Sequence, residues 1–283
     1  MGIRFWKASC LFFTSLLATI SSADTLPKHA TGIHENLVEV TLDEQRTQSG
    51  VLSIKNTTQN HRYLAVLIPG YPAVFRPKIE DGVLVRSKLK GNFLIRARRH
   101  LLNDKIMSLL VDCHSQSGPI CELEYQASHQ REKDINALID RVIELNPSVE
   151  KVWLIGTSMG TMSSAFVPKH NTKRYSGVIH TATLTATKNH YPQLRGFNYR
   201  ALSETQFFIH HIDDPCLLTK YSKIKNIAEL NKIPLITVFG GSGFKGNACN
   251  AFTQHGFRGM EVKVMREIQN IIERGQPSTF EIR

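Results

Sequence analysis

A serine between two glycines lies near the middle of the sequence, in the pentapeptide GTSMG at 156–160. An apolar run at 152–155 precedes it and a stretch of mostly small residues at 161–166 follows, which indicates a strand, a sharp turn and a helix. Such a turn holds the serine hydroxyl out at the carboxyl end of a sheet, and glycine on either side avoids a Cβ clash. The spacing predicts that Ser158 is a nucleophile.

A nucleophile in this position depends on a sheet, and the sequence alternates short apolar runs with amphipathic helical stretches. This alternation predicts a mostly parallel sheet with helices on both faces. Eight strands are predicted, the first two as an antiparallel pair, at 36–42, 50–54, 62–68, 106–111, 152–155, 176–181, 206–212 and 234–239. Helices are predicted at 92–102, 128–145 and 260–274. The serine turn follows the fifth strand.

From about residue 36 to residue 273, this order of elements resembles the α/β-hydrolase family. In that family the third strand ends in a glycine-containing loop, here PGYP at 69–72, and the serine turn follows the fifth strand. The resemblance implies an α/β-hydrolase fold with an eight-stranded sheet and a serine hydrolase that needs no cofactor or metal. About two dozen residues, 182–205, separate the sixth and seventh strands, so we expect no large cap domain and an open site.

The resemblance also implies the chain order serine, acid, histidine for a catalytic triad. His255 follows the last predicted strand and a glycine-rich loop, and it is the expected base. The family pattern places the acid before a residue such as Pro215, which favours Asp214; Asp213 and, on another strand, Asp112 stay open as alternatives. Three other histidines lie inside predicted strands: His180, His210 and His211.

Two backbone N–H groups are needed to stabilise the oxyanion that forms during acyl transfer. One is expected from Met159, the residue after the nucleophile. The resemblance implies that the second comes from the loop after the third strand, where Tyr71 is the candidate. The family often has His-Gly in this loop, whereas this chain has Pro69-Gly70, and an ordinary turn is the other interpretation of the segment.

The N-terminal segment has the features of a secretory signal peptide. Arg4 and Lys7 precede an apolar run at 11–20, and small residues follow at 21–23. We expect cleavage after residue 23, a single domain at 24–283 and export to the periplasm or the medium. An uncleaved N-terminal anchor is the alternative. No later segment of the sequence is apolar for long enough to cross a membrane.

Four cysteines remain once Cys10 is removed with the signal peptide, and an even number in an oxidising compartment predicts two disulfides. Cys113 and Cys121 flank a short loop, so a local bridge is the simplest of the three pairings. Cys216 and Cys249 would then link the loop of the candidate acid to the loop of the candidate histidine. Four free buried thiols are the alternative.

The chain carries 35 Lys and Arg against 24 Asp and Glu, and its net charge of +11 favours anionic partners. The stretch 76–105 has nine basic and three acidic residues. It predicts either a basic rim for an anionic substrate or an ordinary solvated face, and no motif for specific nucleic-acid binding accompanies it.

These features favour a small-molecule or polymeric carboxylic ester as the substrate. Peptide or thioester cleavage on the same fold is one alternative, and a non-catalytic protein that binds through its basic face is another.

Overall fold

The computed structural model describes residues 1–2, 30–55, 60–170, 173–185 and 194–283. Apart from its first two residues, the predicted signal peptide at 1–23 lies outside the described residues. Among the helices of the described ranges, none is both long and apolar enough to cross a membrane.

Within these ranges the chain forms a nine-stranded sheet and a separate two-stranded hairpin. The strands in chain order are β1 (Ile33–Thr41), β2 (Thr47–Lys55), β3 (Tyr63–Ile68), β4 (Lys78–Glu80), β5 (Val83–Arg86), β6 (Ile106–Val111), β7 (Lys151–Thr157), β8 (Gly177–Thr181), β9 (Thr205–His211), β10 (Leu235–Val238) and β11 (Glu281–Ile282). The large sheet has the order β1-β2-β6-β3-β7-β8-β9-β10-β11, and β4 and β5 form the hairpin. The pairs β1–β2 and β2–β6 are antiparallel and the other neighbours are parallel.

Helices cover both faces of this sheet. They are α1 (Phe93–Ala97), α2 (Leu123–Gln126), α3 (His129–Leu145), α4 (Thr161–His170), α5 (Tyr221–Asn231) and α6 (Glu261–Arg274). The apolar sides of α1 and α6 pack on one face, while α3, α4 and α5 pack on the other. The hydroxyl of Ser128 caps the first turn of α3 by accepting the Arg131 N–H at 3.1 Å.

The central strand β3 packs against the cores on both faces of the sheet. All six of its residues are buried, and alternate side chains enter opposite cores: Leu64, Val66 and Ile68 pack with α3, whereas Ala65 and Leu67 pack with α1 and α6. Each buried Leu, Ile or Val contributes roughly 1.5–3 kcal/mol relative to an exposed one. The loop that follows β3 is therefore attached to a firmly packed strand.

The predicted fold class is confirmed, and the differences are local. The eight predicted strands of the large sheet are present, and the ninth, β11, is a two-residue strand that pairs with β10 at the edge. The helix predicted at 92–102 is only α1 followed by a 3-10 turn at Arg98–His100. The hairpin of β4 and β5 lies within the basic stretch, where the sequence indicated no strands.

Candidate active site

Ser158 lies at the carboxyl end of β7, on a 3-10 turn that leads into α4. Its φ is +52°, the left-handed region that a residue with a side chain rarely adopts. A Cβ on Gly160 would collide with the backbone carbonyls of Ile68 and Pro69, and one on Gly70 would lie 2.9 Å from the Ser158 Cβ. Glycine is therefore required where β3 and β7 bring their following loops together.

His255 lies on the loop after β10 and faces the serine. Its Nε2 is 3.0 Å from Ser158 Oγ, which is hydrogen-bonding distance. Its backbone N–H donates to Thr253 Oγ1 at 3.2 Å, so the 3-10 turn Gln254–Gly256 begins with a side-chain cap. Only 6% of the His255 surface is exposed, which shields the imidazole from bulk water.

Asp214 accepts a hydrogen bond at Oδ2 from His255 Nδ1, at 3.0 Å, and its carboxylate is fully buried. Burial would raise the pKa of Asp214, but hydrogen bonds from His210 and His255 outweigh it and hold that pKa well below its usual range. The ionised carboxylate can only accept, so Nδ1 carries the hydrogen and Nε2 is free to accept the Ser158 hydroxyl. The neighbouring Asp213 is exposed and does not contact His255.

Thr219 is a fourth polar residue in this group, and the sequence analysis did not identify it. Its fully buried hydroxyl donates to Asp214 Oδ2 at 2.9 Å and lies 3.1 Å from His255 Nδ1. The threonine therefore bridges the acid and the base. The sequence feature that could have indicated this role is the position of Thr219, five residues after Asp214 on the same loop.

Asp112, the alternative acid, lies at the end of β6 and has another role. Its buried carboxylate accepts the backbone N–H groups of Phe75, Arg76 and Cys113 at 2.8, 3.0 and 2.9 Å. Burial raises the pKa of Asp112 despite these bonds. The carboxylate thus fixes the loop after β3 instead of orienting His255.

The two candidate oxyanion donors, Tyr71 and Met159, border the same cavity as Ser158. Among the described residues, no acceptor takes the Tyr71 N–H. The Tyr71 side chain is 65% exposed, and the expected donor is the backbone N–H of this residue. The assignment of both amides to an oxyanion hole stays a prediction.

The cavity in front of Ser158 has a volume of about 720 Å³. Residues 88, 89 and 91–93 line one wall, on the side of α1, and residues 120, 122 and 123 line another, on the side of α2. Apolar side chains contribute most of its lining, including Leu89, Ile120, Leu123, Leu184 and Leu218. Its size and lining are those of a small-molecule site.

Both predicted disulfides are present, Cys113–Cys121 and Cys216–Cys249. The second joins the loop of Asp214 to the loop of His255, and both of its cysteines line the cavity. The loops that carry Asp214 and His255 are therefore joined by a disulfide as well as by hydrogen bonds.

Replacing Cys216 and Cys249 together by serine should lower both the melting temperature and kcat. The bridge spans 33 residues, for which loop-closure entropy gives a contribution of about 3–4 kcal/mol. The loss of kcat follows because the acid loop would then rest against His255 through hydrogen bonds alone. Thermal unfolding and steady-state kinetics measure the two effects. The paired change of Cys113 and Cys121 controls for loss of a disulfide; equal losses of kcat in both variants would contradict a specific link to the triad.

The basic stretch 76–105 is not a continuous basic surface. Most of its cations have internal partners: Arg76 bonds to Asp112 and to loop carbonyls, Lys78 pairs with Glu80, Arg96 with Glu261 and Lys105 with Glu273. Arg98 is fully buried, and two of its nitrogens lie 2.7 Å from the carboxylate oxygens of Glu35. Arg86, Lys88 and Lys90 are exposed, and Lys88 lines the cavity.

No family model and no curated protein matches this sequence. Solved structures do match. A serine hydrolase without a lid from Xanthomonas campestris is 12% identical with a TM-score of 0.56, over 88% of this chain and 97% of that one. An esterase from Pyrococcus furiosus is 14% identical with a TM-score of 0.56, over 86% and 93% of the two chains.

Est1E from Butyrivibrio proteoclasticus is 10% identical with a TM-score of 0.54, over 85% of this chain and 98% of that one. At these identities the likeness concerns the fold. Together with the sheet order and the helices on both faces, it identifies the α/β-hydrolase fold. The chain therefore has the fold that the resemblance of its sequence implied.

Proposed function

We propose that this protein is an exported serine hydrolase that cleaves carboxylic esters. The observation that carries the proposal is the chain of contacts Ser158–His255–Asp214, with 3.0 Å at each step. Export is supported by the signal-like segment at 1–23 and by the two disulfides. The similar structures named as esterases or serine hydrolases support the same class of reaction.

In the proposed reaction, His255 Nε2 takes the proton of Ser158 as Oγ attacks the ester carbonyl carbon. The carbonyl oxygen becomes negative and is stabilised by the N–H groups of Tyr71 and Met159. The C–O bond to the alcohol then breaks, and His255 returns its proton to the leaving oxygen. Water repeats the sequence on the acyl-serine and releases the acid, while Asp214 stabilises the imidazolium in both halves.

Two alternatives are weaker on specific grounds. A non-catalytic protein that binds through its basic face would need free cations there, but five of the nine cations of 76–105 pair with acidic residues of the chain. Peptide cleavage calls for a groove along which a chain can extend, whereas this cavity of about 720 Å³ suits a small acyl or alcohol group. Thioesters have nearly the same shape as esters, and kinetics with matched substrates separates the two activities.

A fluorophosphonate probe tests the proposed function. The mature protein should be labelled in a 1:1 ratio, and Ser158→Ala protein of the same fold should not be labelled. Peptide mapping should locate the modification at residue 158. An unlabelled wild-type protein that is folded and fully oxidised would refute the proposal, as would labelling at another residue.

Lys88 gives the cavity a preference for anionic esters under the proposed function. It is exposed, has no ion-pair partner among the described residues, and its backbone N–H is anchored at 2.9 Å to the carbonyl of Phe75. The backbone of Lys88 is thus fixed on the cavity wall, and its ammonium group can reach a carboxylate on the substrate. Glu122, on the other wall, is the acidic counterpart.

Lys88→Met should lower kcat/KM for a nitrophenyl half-ester of a dicarboxylic acid about 1.4- to fivefold relative to the neutral ester of equal length. The estimate is that of a solvent-exposed ion pair, roughly 0.2–1 kcal/mol. Lys90→Met is the matched control, because Lys90 is exposed in the same segment but does not line the cavity. The same anionic-to-neutral ratio in wild type and Lys88→Met would contradict a role in charge selection.

A further inference from the structure

A second histidine contacts the carboxylate of Asp214. His210 is the sixth residue of β9 and is fully buried. Its Nε2 lies 2.6 Å from the backbone carbonyl oxygen of Thr219 and 3.3 Å from Asp214 Oδ2. Both of these atoms are acceptors, since Asp214 is ionised, so Nε2 must carry a hydrogen that the two acceptors share.

These contacts span the loop that carries the acid. His210 precedes the loop and Thr219 ends it, so the bond from the ring to the Thr219 carbonyl closes a segment of nine residues. Inside it, Asp214 Oδ1 accepts the Cys216 N–H at 2.9 Å, and the Thr219 N–H donates to the Cys216 carbonyl at 3.1 Å. The loop is thus folded on itself with the imidazole at its base.

We propose that His210 is a positioning residue that holds Asp214 and Thr219 in register with His255. The inference rests on the proposed function, since it assigns His210 a role in the same triad. Asp214 Oδ2 is the common acceptor for His255, Thr219 and His210. Three donors from the strand, the loop end and the histidine loop fix where that oxygen lies, and that oxygen fixes the imidazole plane of His255.

The two ring nitrogens of His210 have different surroundings. The Nδ1 of His210 is buried without a hydrogen-bond partner among the described residues, so only its Nε2 side makes polar contacts. A leucine of similar size would fill the core without leaving that atom unpaired. The unpaired Nδ1 lowers the stability of the fold, and the contacts of Nε2 with the acid loop give a reason for a histidine at this position.

The test compares two amides of different length. His210→Gln can place an N–H₂ group where the imidazole Nε2 lies, and it should keep kcat within about threefold of wild type. His210→Asn is too short, and His210→Leu has no donor; both should lower kcat roughly ten- to hundredfold, because small misplacements of catalytic groups can cost about a hundredfold. KM should stay within about twofold in all three, since His210 does not line the cavity.

His180→Leu is the control for loss of a buried histidine. His180 is fully buried in the adjacent strand β8, and its Nδ1 is 2.9 Å from Ser164 Oγ. This variant should lose thermal stability with kcat near wild type. Equal kcat in His210→Gln and His210→Asn would overturn the inference, and so would an equal loss in His180→Leu. If the wild-type protein hydrolyses no ester and resists fluorophosphonate, the proposed function itself has failed, which is a distinct result.

Discussion

Replacing Ser158 by alanine is expected to lower kcat/KM for every accepted ester by on the order of 10⁴–10⁶-fold. The change removes the nucleophile and leaves the small amount of catalysis that binding and the oxyanion donors provide. His255→Ala should have a comparable effect, because the Ser158 hydroxyl is a poor nucleophile without a base 3.0 Å away. Steady-state kinetics with a nitrophenyl ester measures both losses.

The double variant distinguishes a triad from two independent contributions. If Ser158 and His255 act in one proton transfer, changing both should cost about as much as changing either one. Unchanged melting temperatures would show that the losses are catalytic. Retention of even a tenth of wild-type turnover in Ser158→Ala would remove the central claim.

Asp214→Asn is expected to lower kcat by roughly 10³–10⁴-fold, whereas Asp213→Asn should stay within about twofold. An amide can present an N–H₂ group to His255 Nδ1 and so favour the wrong tautomer, which leaves Nε2 unable to accept the serine proton. Asp213 is the matched control, since it is the adjacent carboxylate but is exposed. Because the pKa of Asp214 lies below its usual range, its charge persists at neutral pH and the ratio should hold from about pH 6 to pH 9.

The opposite ranking would make Asp213 the acid. Small effects of both changes would show that neither carboxylate of this loop is the acid of the triad. The hydrogen bonds of Asp112 make it a weak substitute, because its carboxylate is occupied by the backbone of the loop after β3. Thermal unfolding of each variant separates a catalytic loss from a folding defect.

Local sequence patterns were sufficient to predict the large sheet. The apolar run before Ser158 and the glycines around it predicted β7 and its turn, because the steric demands there are met within five residues. The carboxyl ends of parallel strands share one edge of the sheet, and the resemblance to the α/β-hydrolase family supplied the order serine, acid, histidine, so the two together predicted that the loops of Asp214 and His255 lie near Ser158. The short edge strand β11 has two residues, which is too few for any periodicity to appear.

Features that depend on distant partners were not predictable in this way. No residue close to Arg98 in the sequence indicates that Glu35, 63 residues earlier, neutralises it inside the protein. The whole basic stretch was therefore expected to lie on the surface. The roles of His210 and Thr219 depend on how the acid loop folds. Helix α5 was not predicted, although its sequence carries the signal. Tyr221, Ile224 and Ala228 have the spacing of one helix face.

The carboxylate of Asp112 orders the loop after β3, which carries the candidate oxyanion donor Tyr71. It accepts the N–H groups of Phe75 and Arg76, and these contacts lie within the protein and involve no substrate atom. The entropy cost of ordering this loop is therefore met once, during folding, and does not recur in each catalytic cycle. Under the proposed function, substrate binding energy is then left available for the acyl and alcohol groups. Weakening this anchor should therefore slow the reaction, although Asp112 does not line the cavity.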